Sequence, residues 1–258
     1  MSRATLSAIE AFLRRAPYLH AYELGDLDPR EAPHTTWIAN DPVDAVVLLY
    51  RGLAVPTIVG LADPRDDLAA LCALLAAAIP QLPPRFYAHL TSGAEVALAR
   101  RYHLAPLGQH WKMGLAVPIA GPPDDAIIRL GAQHADEVVE FYAASYPTGY
   151  FEPANLERGP YLAIRDDHGI AAIAGIHVYS PAMRVASLGN IATRPDARGR
   201  GHARRVTTAL CRLLQAEVDI IGLNVRADNA AAIACYRGVG FERRDAYEEW
   251  RVSLPSKP

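Results

Sequence analysis

The chain has 258 residues, of which 51% are hydrophobic and 21% charged, with a formal net charge of −2 and a pI near 6.5. That length holds one large domain or two of roughly 100–150 residues, and so even a charge balance excludes the broad basic face of a general nucleic-acid or anionic-membrane binder. No apolar run reaches the roughly 18–20 residues that cross a bilayer, and the first residues lack a secretory leader's apolar middle and cleavage site, so the expected location is the cytoplasm.

In chain order, the first half predicts strands over residues 46–50 and 55–60, a helix over 67–79, a strand over 86–89, a helix over 94–102 and a closing strand over 108–113. Between Gly60 and Leu68 the chain reads Leu-Ala-Asp-Pro-Arg-Asp-Asp, a surplus of acids that repels an anion. Residues 117–125 concentrate three prolines, a glycine and two acids and read as a linker, dividing the chain into residues 1–120 and 121–258. Beyond it come a short strand at 126–130 and a helix at 135–144. A loop of three aromatics, two prolines and a glycine follows over 146–153.

Strands at 161–165, 170–179 and 185–193, separated by turns, then read as an antiparallel meander. An amphipathic helix over 201–217 carries Val206, Leu210, Leu213 and Leu214 on one stripe. A buried strand at 220–225, a helix at 229–236 and a strand from Phe241 complete an α/β (α+β) fold with a mixed, mostly antiparallel sheet flanked by helices. Cys72, Cys211 and Cys235, set among alanine and leucine, read as reduced thiols in helices. The nine histidines show no His-Glu-x-x-His spacing and no Cys-x-x-Cys occurs, so no metal is expected.

The most informative segment is the run from Asn190 to Arg205, where an extended apolar stretch breaks into an Arg/Gly loop that opens into a helix. Gly199 and Gly201 let the chain curl tightly, and the first N–H groups of the following helix lack internal partners, so the loop reads as an anion site. Arg194, Arg198, Arg200, Arg204 and Arg205 stand there against Asp196 alone. A dinucleotide-binding fingerprint fails because Arg204 occupies the place of its third glycine, and no Gly-Lys-Ser/Thr of a P-loop occurs. The bland alternative is an ordinary turn with solvated basic residues.

The run Arg198-Gly-Arg-Gly-His-Ala203 resembles the Arg/Gln-x-x-Gly-x-Gly/Ala signature of the GNAT superfamily of N-acyltransferases. Residues 223–241 resemble that family's second signature: a strand, Asn229 heading a helix, Tyr236, then Gly240-Phe241. The likeness covers roughly residues 126–250. The glycine N-acyltransferase-like branch, with its tandem arrangement, suggests a degenerate GNAT-like domain for the first half, the alternative being an unrelated α/β cap. The resemblance implies acetyl-CoA or another acyl-CoA as donor. Its pyrophosphate would lie on the amides of Arg198, Gly199, Arg200, Gly201, His202, Ala203 and Arg204, and its pantetheine along the backbone of Ile191, Ala192 and Thr193.

Tyr236 matches the family tyrosine that protonates the departing sulfur, the alternative being a core aromatic. Asn229 matches a pantetheine contact and is equally a plain N-cap. The acceptor amine must lose a proton before it attacks. Many relatives carry a glutamate on the strand before the loop, where this chain has Ser187-Leu-Gly-Asn190. His177 and Glu152 are the substitute bases, otherwise a core histidine and a solvated acid. The expected activity is direct transfer of the acyl group to an amine of a small-molecule acceptor, whose site the loop at 146–151 and the inter-domain face would shape. Neither a nucleic-acid nor a membrane partner is expected, and a monomer or homodimer is. The other function class is a catalytically inactive CoA-sensing or protein-interaction module.

Overall fold

The computed structural model describes residues 5–147, 149 and 151–255. The chain divides into two compact units: one holds the chain up to Lys112, Val225–Asp228 and the segment from Arg244, and the other holds Met113–Asn224 and Asn229–Arg243. The change of unit between Lys112 and Met113 thus falls inside a strand. Residues 117–125, read as a linker, are irregular but pinned within the second unit. Ile119 exchanges two hydrogen bonds with the side chain of Gln215, at 2.9 and 3.0 Å, and Asp124 accepts a bidentate pair from Arg205 at 2.7 and 2.9 Å.

The first unit begins with two helices, α1 (Leu6–Leu13) and α2 (Ala21–Asp26), followed by strands β1 (Thr35–Ala39), β2 (Val46–Tyr50) and β3 (Thr57–Gly60). Helix α3 (Leu68–Ala78), strand β4 (Arg85–Leu90), the short α4 (Val96–Ala99) and the long β5 (His103–Leu115) follow. Strands β1, β2 and β3 pair antiparallel, whereas β4 lies parallel to β3, an arrangement that needs a crossover and receives it from α3. Val47, Leu49, Ile58, Phe86 and Leu90 pack with Leu71, Leu74 and Leu75 of α3, while Leu48, Val59 and Leu61 pack with Leu19 and Tyr247 in a second cluster. With apolar partners on both faces, β2 reads as an unbroken apolar run rather than an alternation.

The second unit repeats the order. After β6 (Ile127–Leu130) come α5 (Ala135–Ser145), the short α6 (Asn155–Arg158), strands β7 (Tyr161–Asp166), β8 (Gly169–Ser180) and β9 (Val185–Thr193), helix α7 (His202–Leu214), β10 (Ile220–Arg226), α8 (Ala230–Val239) and β11 (Phe241–Ser253), with Val225 and Arg226 of β10 and β11 from Arg244 on belonging to the first unit. Strands β6 to β9 pair antiparallel in sequence, and β10 lies parallel to β9 across the α7 crossover. In each unit two helices, three antiparallel strands, a helix, a parallel strand and a helix therefore follow one another.

Sequence reading missed α1, α2, β1 and α6, which are short and hold together through burial of residues such as Ile9, Phe12, Leu13, Leu24 and Leu156 rather than through propensity. It also gave β5 as residues 108–113, whereas the strand runs from His103 to Leu115. On α7 the buried stripe is Val206, Thr207, Leu210, Cys211 and Leu214, with Leu213 only half-buried, so the helix is rotated from the predicted face. The three cysteines are free thiols. Among the described residues no helix is long and apolar enough to cross a membrane, and no cluster of three metal-ligating side chains occurs.

Candidate acyl-CoA site

The registered pairing of β9 with β10 runs from Val185 opposite Ile220 to Leu188 opposite Leu223 and then stops. Strand β9 continues for five more residues to Thr193, with its β8 neighbour still paired at Ala192 and Thr193. No registered pairing with β10 is described past Leu188. Strand β9 leads into the Arg/Gly loop: a single 3-10 turn at Pro195–Ala197, then Gly199 at φ +76° and Gly201 at φ +78°. A Cβ built on either glycine meets nothing within 4 Å, so the loop lies open, and the left-handed backbone is what calls for glycine there.

Gly201 is the N-cap of α7 and contributes no side-chain cap. The Arg205 N–H donates to the Gly201 carbonyl at 3.1 Å and closes the first turn. The preceding amides of His202, Ala203 and Arg204 have no partner within the helix. His202 Nδ1 is also buried without a hydrogen-bond partner among the described residues. Left-handed glycines, outward amides and an opened strand edge fit the diphosphate and the amide-rich arm of an acyl-CoA.

The five arginines divide. Arg194 is bound to Asp166 and Asp196 and to the carbonyls of His168 and Ile170, so it ties loop to strands. Arg205 is held by Asp124. Arg198, Arg200 and Arg204 are exposed around the open loop, with Arg198 Nε donating to the Thr193 carbonyl at 3.3 Å.

Tyr236 is buried on α8, with its ring 6.2 Å from that of Phe241, and burial pushes its phenol above the ordinary range. Asn229 caps α8, its side chain accepting from the Ala232 N–H at 3.1 Å. His177, expected in a core if not catalytic, is exposed on β8 and lies 3.4 Å through Nε2 from Asn190 Oδ1. Glu152 is exposed ahead of α6, and no described contact joins its carboxylate to His177 or Tyr236. Of the aromatic loop, Phe151 lies 4.7 Å from the ring of Tyr142, while Thr148 and Tyr150 lie outside the described residues. Sequence reading passed over Asn190, Tyr142 and Tyr161. Asn190 accepts from Tyr142 at its carbonyl, 2.6 Å, and donates to Tyr161, 2.9 Å. The signal available was a polar residue inside an apolar strand.

Residues 132–241 match the family model described as acetyltransferase (GNAT) family. They form a GNAT domain. Among solved structures, a putative GNAT acetyltransferase from Novosphingobium aromaticivorans superposes with a TM-score of 0.66 at 19% identity, covering 90% of this chain and 96% of that one. A tandem GNAT protein from the clavulanic acid biosynthesis pathway does so with a TM-score of 0.53 at 19% identity, covering 97% and 95%. At those identities the likeness is one of fold, and it extends well beyond the GNAT domain. In sequence, the chain is 28% identical over 184 residues to a mycothiol acetyltransferase of Paenarthrobacter aurescens, a match that covers 62% of this chain and 57% of that relative. The chain thus spans little more than half the length of the relative it matches.

The first unit has the counterpart of the loop without its chemistry. Between β3 and α3 the helix N-terminus is capped by the Asp67 carboxylate, which accepts from the Ala69 N–H at 2.8 Å. Arg65 draws the nearby Asp63 down to about 2 through its side-chain hydrogen bond. Strands β3 and β4 stay paired to Gly60 opposite Leu90, and Thr91 then clasps Ala62 through both backbone groups at 2.8 and 3.4 Å. Registered β9–β10 pairing ends at Leu188, whereas the end of β3–β4 is clasped.

Proposed function

We propose that the chain is an acyl-CoA-dependent N-acyltransferase, in its simplest form an acetyltransferase, that moves the acyl group to an amine of a small molecule by direct attack on the thioester. The observation that carries this reading is the end of β9–β10 pairing at Leu188 beside a left-handed Gly199/Gly201 loop at a helix N-terminus. The amides from Arg198 to Arg204 would hold the diphosphate, assisted by Arg198, Arg200 and Arg204, and the edge from Ile191 to Thr193 would receive the pantetheine. A main-chain N–H of that edge, aligned on the thioester carbonyl, is the kind of donor worth about 2.7–4 kcal/mol in the transition state.

Tyr236 keeps its proton at neutral pH as any phenol does, and burial raises its range further. A thiolate near pKa ~8.5 is too weak a base to take that proton fully, so the role that suits Tyr236 is hydrogen-bond donation to the leaving sulfur. Of the two candidate bases His177 is favoured, since its ring lies 3.4 Å from Asn190 of β9, whereas Glu152 is exposed ahead of α6. Asn229 serves α8 as a cap and has its amide N–H groups left for a ligand.

The test is release of free thiol from acetyl-CoA across a panel of amino acids, polyamines, amino sugars and mycothiol-related compounds, the last because the curated relatives are mycothiol acetyltransferases. Amine-dependent thiol release with a matching gain of product mass supports the reading. Tight acetyl-CoA binding with no release from any acceptor would support the silent CoA-binding module instead.

A further inference from the structure

The irregular segment 117–125 is laced along the outer face of α7 by three successive ties. Gln215 exchanges two hydrogen bonds with the backbone of Ile119, Arg212 Nη2 donates to the Ala120 carbonyl at 3.1 Å, and Arg205 donates a bidentate pair to Asp124 at 2.7 and 2.9 Å. Segment and helix therefore run in opposite directions, which brings Asp124 to the end of α7 where the Gly199/Gly201 loop opens. Between them lies a crevice of about 310 Å³ lined by Pro122, Asp124, Arg204, Arg205, Thr208 and Arg212. At roughly 30 Å³ per water, that space holds a phosphate group with water around it.

The charge of this lining is unbalanced. Three arginines stand against one acid, a formal +2, and that acid is already engaged by Arg205. Among the described residues no ion pair joins Arg204 to a carboxylate, and its guanidinium lies against Gly238 of α8, with Nε 3.6 Å from where a Cβ would stand. Arg212 Nε is buried without a hydrogen-bond partner among the described residues. A buried donor left so is costly unless water or a ligand meets it. Arg204, Thr208 and Arg212 follow one another at intervals of four and share one ridge of the helix. The crevice thus begins in the same first turn whose amides are offered to the diphosphate and extends about 12 Å along α7.

Coenzyme A has a third phosphate, a monoester on the 3′ oxygen of the ribose that carries the diphosphate. Near neutral pH a phosphate monoester bears a charge of about −1.5 to −2, the counterpart of the lining. We infer that the crevice between residues 122–124 and α7 takes this 3′-phosphate through Arg204 and Arg212, and so makes the chain selective for coenzyme A over its dephospho form. This rests on the acyl-CoA reading of the Gly199/Gly201 loop. Arg212 takes no part in acyl transfer; it is a determinant of which donor is bound.

The experiment is calorimetric titration of the full chain with coenzyme A, dephospho-coenzyme A and inorganic phosphate, at about 0.15 M ionic strength so that exposed charges more than about 8 Å away are screened. Dephospho-coenzyme A is expected to bind about tenfold more weakly than coenzyme A, the usual order for a lost contact to a charged group. Arg212→Gln should bring that ratio towards one by weakening coenzyme A while leaving dephospho-coenzyme A unchanged, and the unchanged affinity also shows that the variant is folded. Asp124→Asn removes the acid of the lining and frees Arg205, so it should widen the ratio. Equal affinities in the unsubstituted chain, or a ratio that Arg212→Gln leaves unmoved or Asp124→Asn narrows, overturns the inference and leaves the acyl-CoA reading standing. Equal affinities together with a phosphate heat that vanishes in Arg212→Gln would assign the crevice to free phosphate instead. Binding of neither form of the coenzyme would overturn the acyl-CoA reading of the loop, and the 3′-phosphate assignment with it.

Discussion

At the scale of single residues, Gly201 combines a backbone φ of +78° with a place at the mouth of α7. Gly201→Glu should abolish acetyl-CoA binding, read by calorimetry, because it sets a negative charge among the amides offered to the diphosphate. Gly201→Ala has space for its methyl group and should lose only the roughly 1–2 kcal/mol that a left-handed L-residue costs. Tyr236→Phe removes a donor from a site it still fills, so kcat should fall by more than acetyl-CoA affinity does, and equal losses would argue for a packing role.

Asp26, in the first unit, gives a prediction about pH. Burial, with help from Glu31 and Glu23 and against Lys112, raises its carboxyl well above the usual range. A carboxyl whose folded pKa is raised stabilises the fold fully below the unfolded value near ~3.9 and loses that contribution as pH rises through the folded value. Asp26→Asn, which imitates the protonated acid, should therefore raise Tm at pH 8 and leave it nearly unchanged at pH 4. A drop in Tm at pH 8 would contradict the assignment.

At the scale of elements, two helices of the same place in the repeated order end differently. Helix α3 is closed by its own Asp67 carboxylate, and α7 is left open by Gly201. The strands obey the same division, since Thr91 clasps the end of β3–β4 while β9 and β10 part after Leu188. Helix α8 allows capping and ligand contact to be separated at Asn229. Asn229→Ser keeps a cap acceptor and Asn229→Ala removes it at a cost of about 1 kcal/mol. If both variants lose acetyl-CoA affinity while only the alanine variant loses stability, Asn229 touches the ligand. If affinity holds in both, it is a cap alone.

For the whole molecule, the repeated order with only one opened strand edge predicts a single acetyl-CoA per chain in calorimetry, falling to none in Gly201→Glu. A stoichiometry of two would mean that the Asp67 and Thr91 closures are not a barrier. What could be read beforehand was local: the strand–loop–helix run from Asn190 to Arg205, the acids that spoil its counterpart near Asp63, and the apolar runs of strands such as β2, β8 and β9 are all consequences of residue type and spacing within some twenty positions. Other features depend on partners far away in the chain. Whether Arg194 faces a ligand or Asp166, whether His177 is core or exposed, and where β9 leaves β10 are set by side chains 13 to 35 residues distant, as in the contact of His177 with Asn190 or the pairing of Leu188 with Leu223. Sequence spacing determines which backbone shapes are available and which charges lie near them. Only the folded sheet, by pairing some edges and leaving others unpaired, decided which of those shapes became a site.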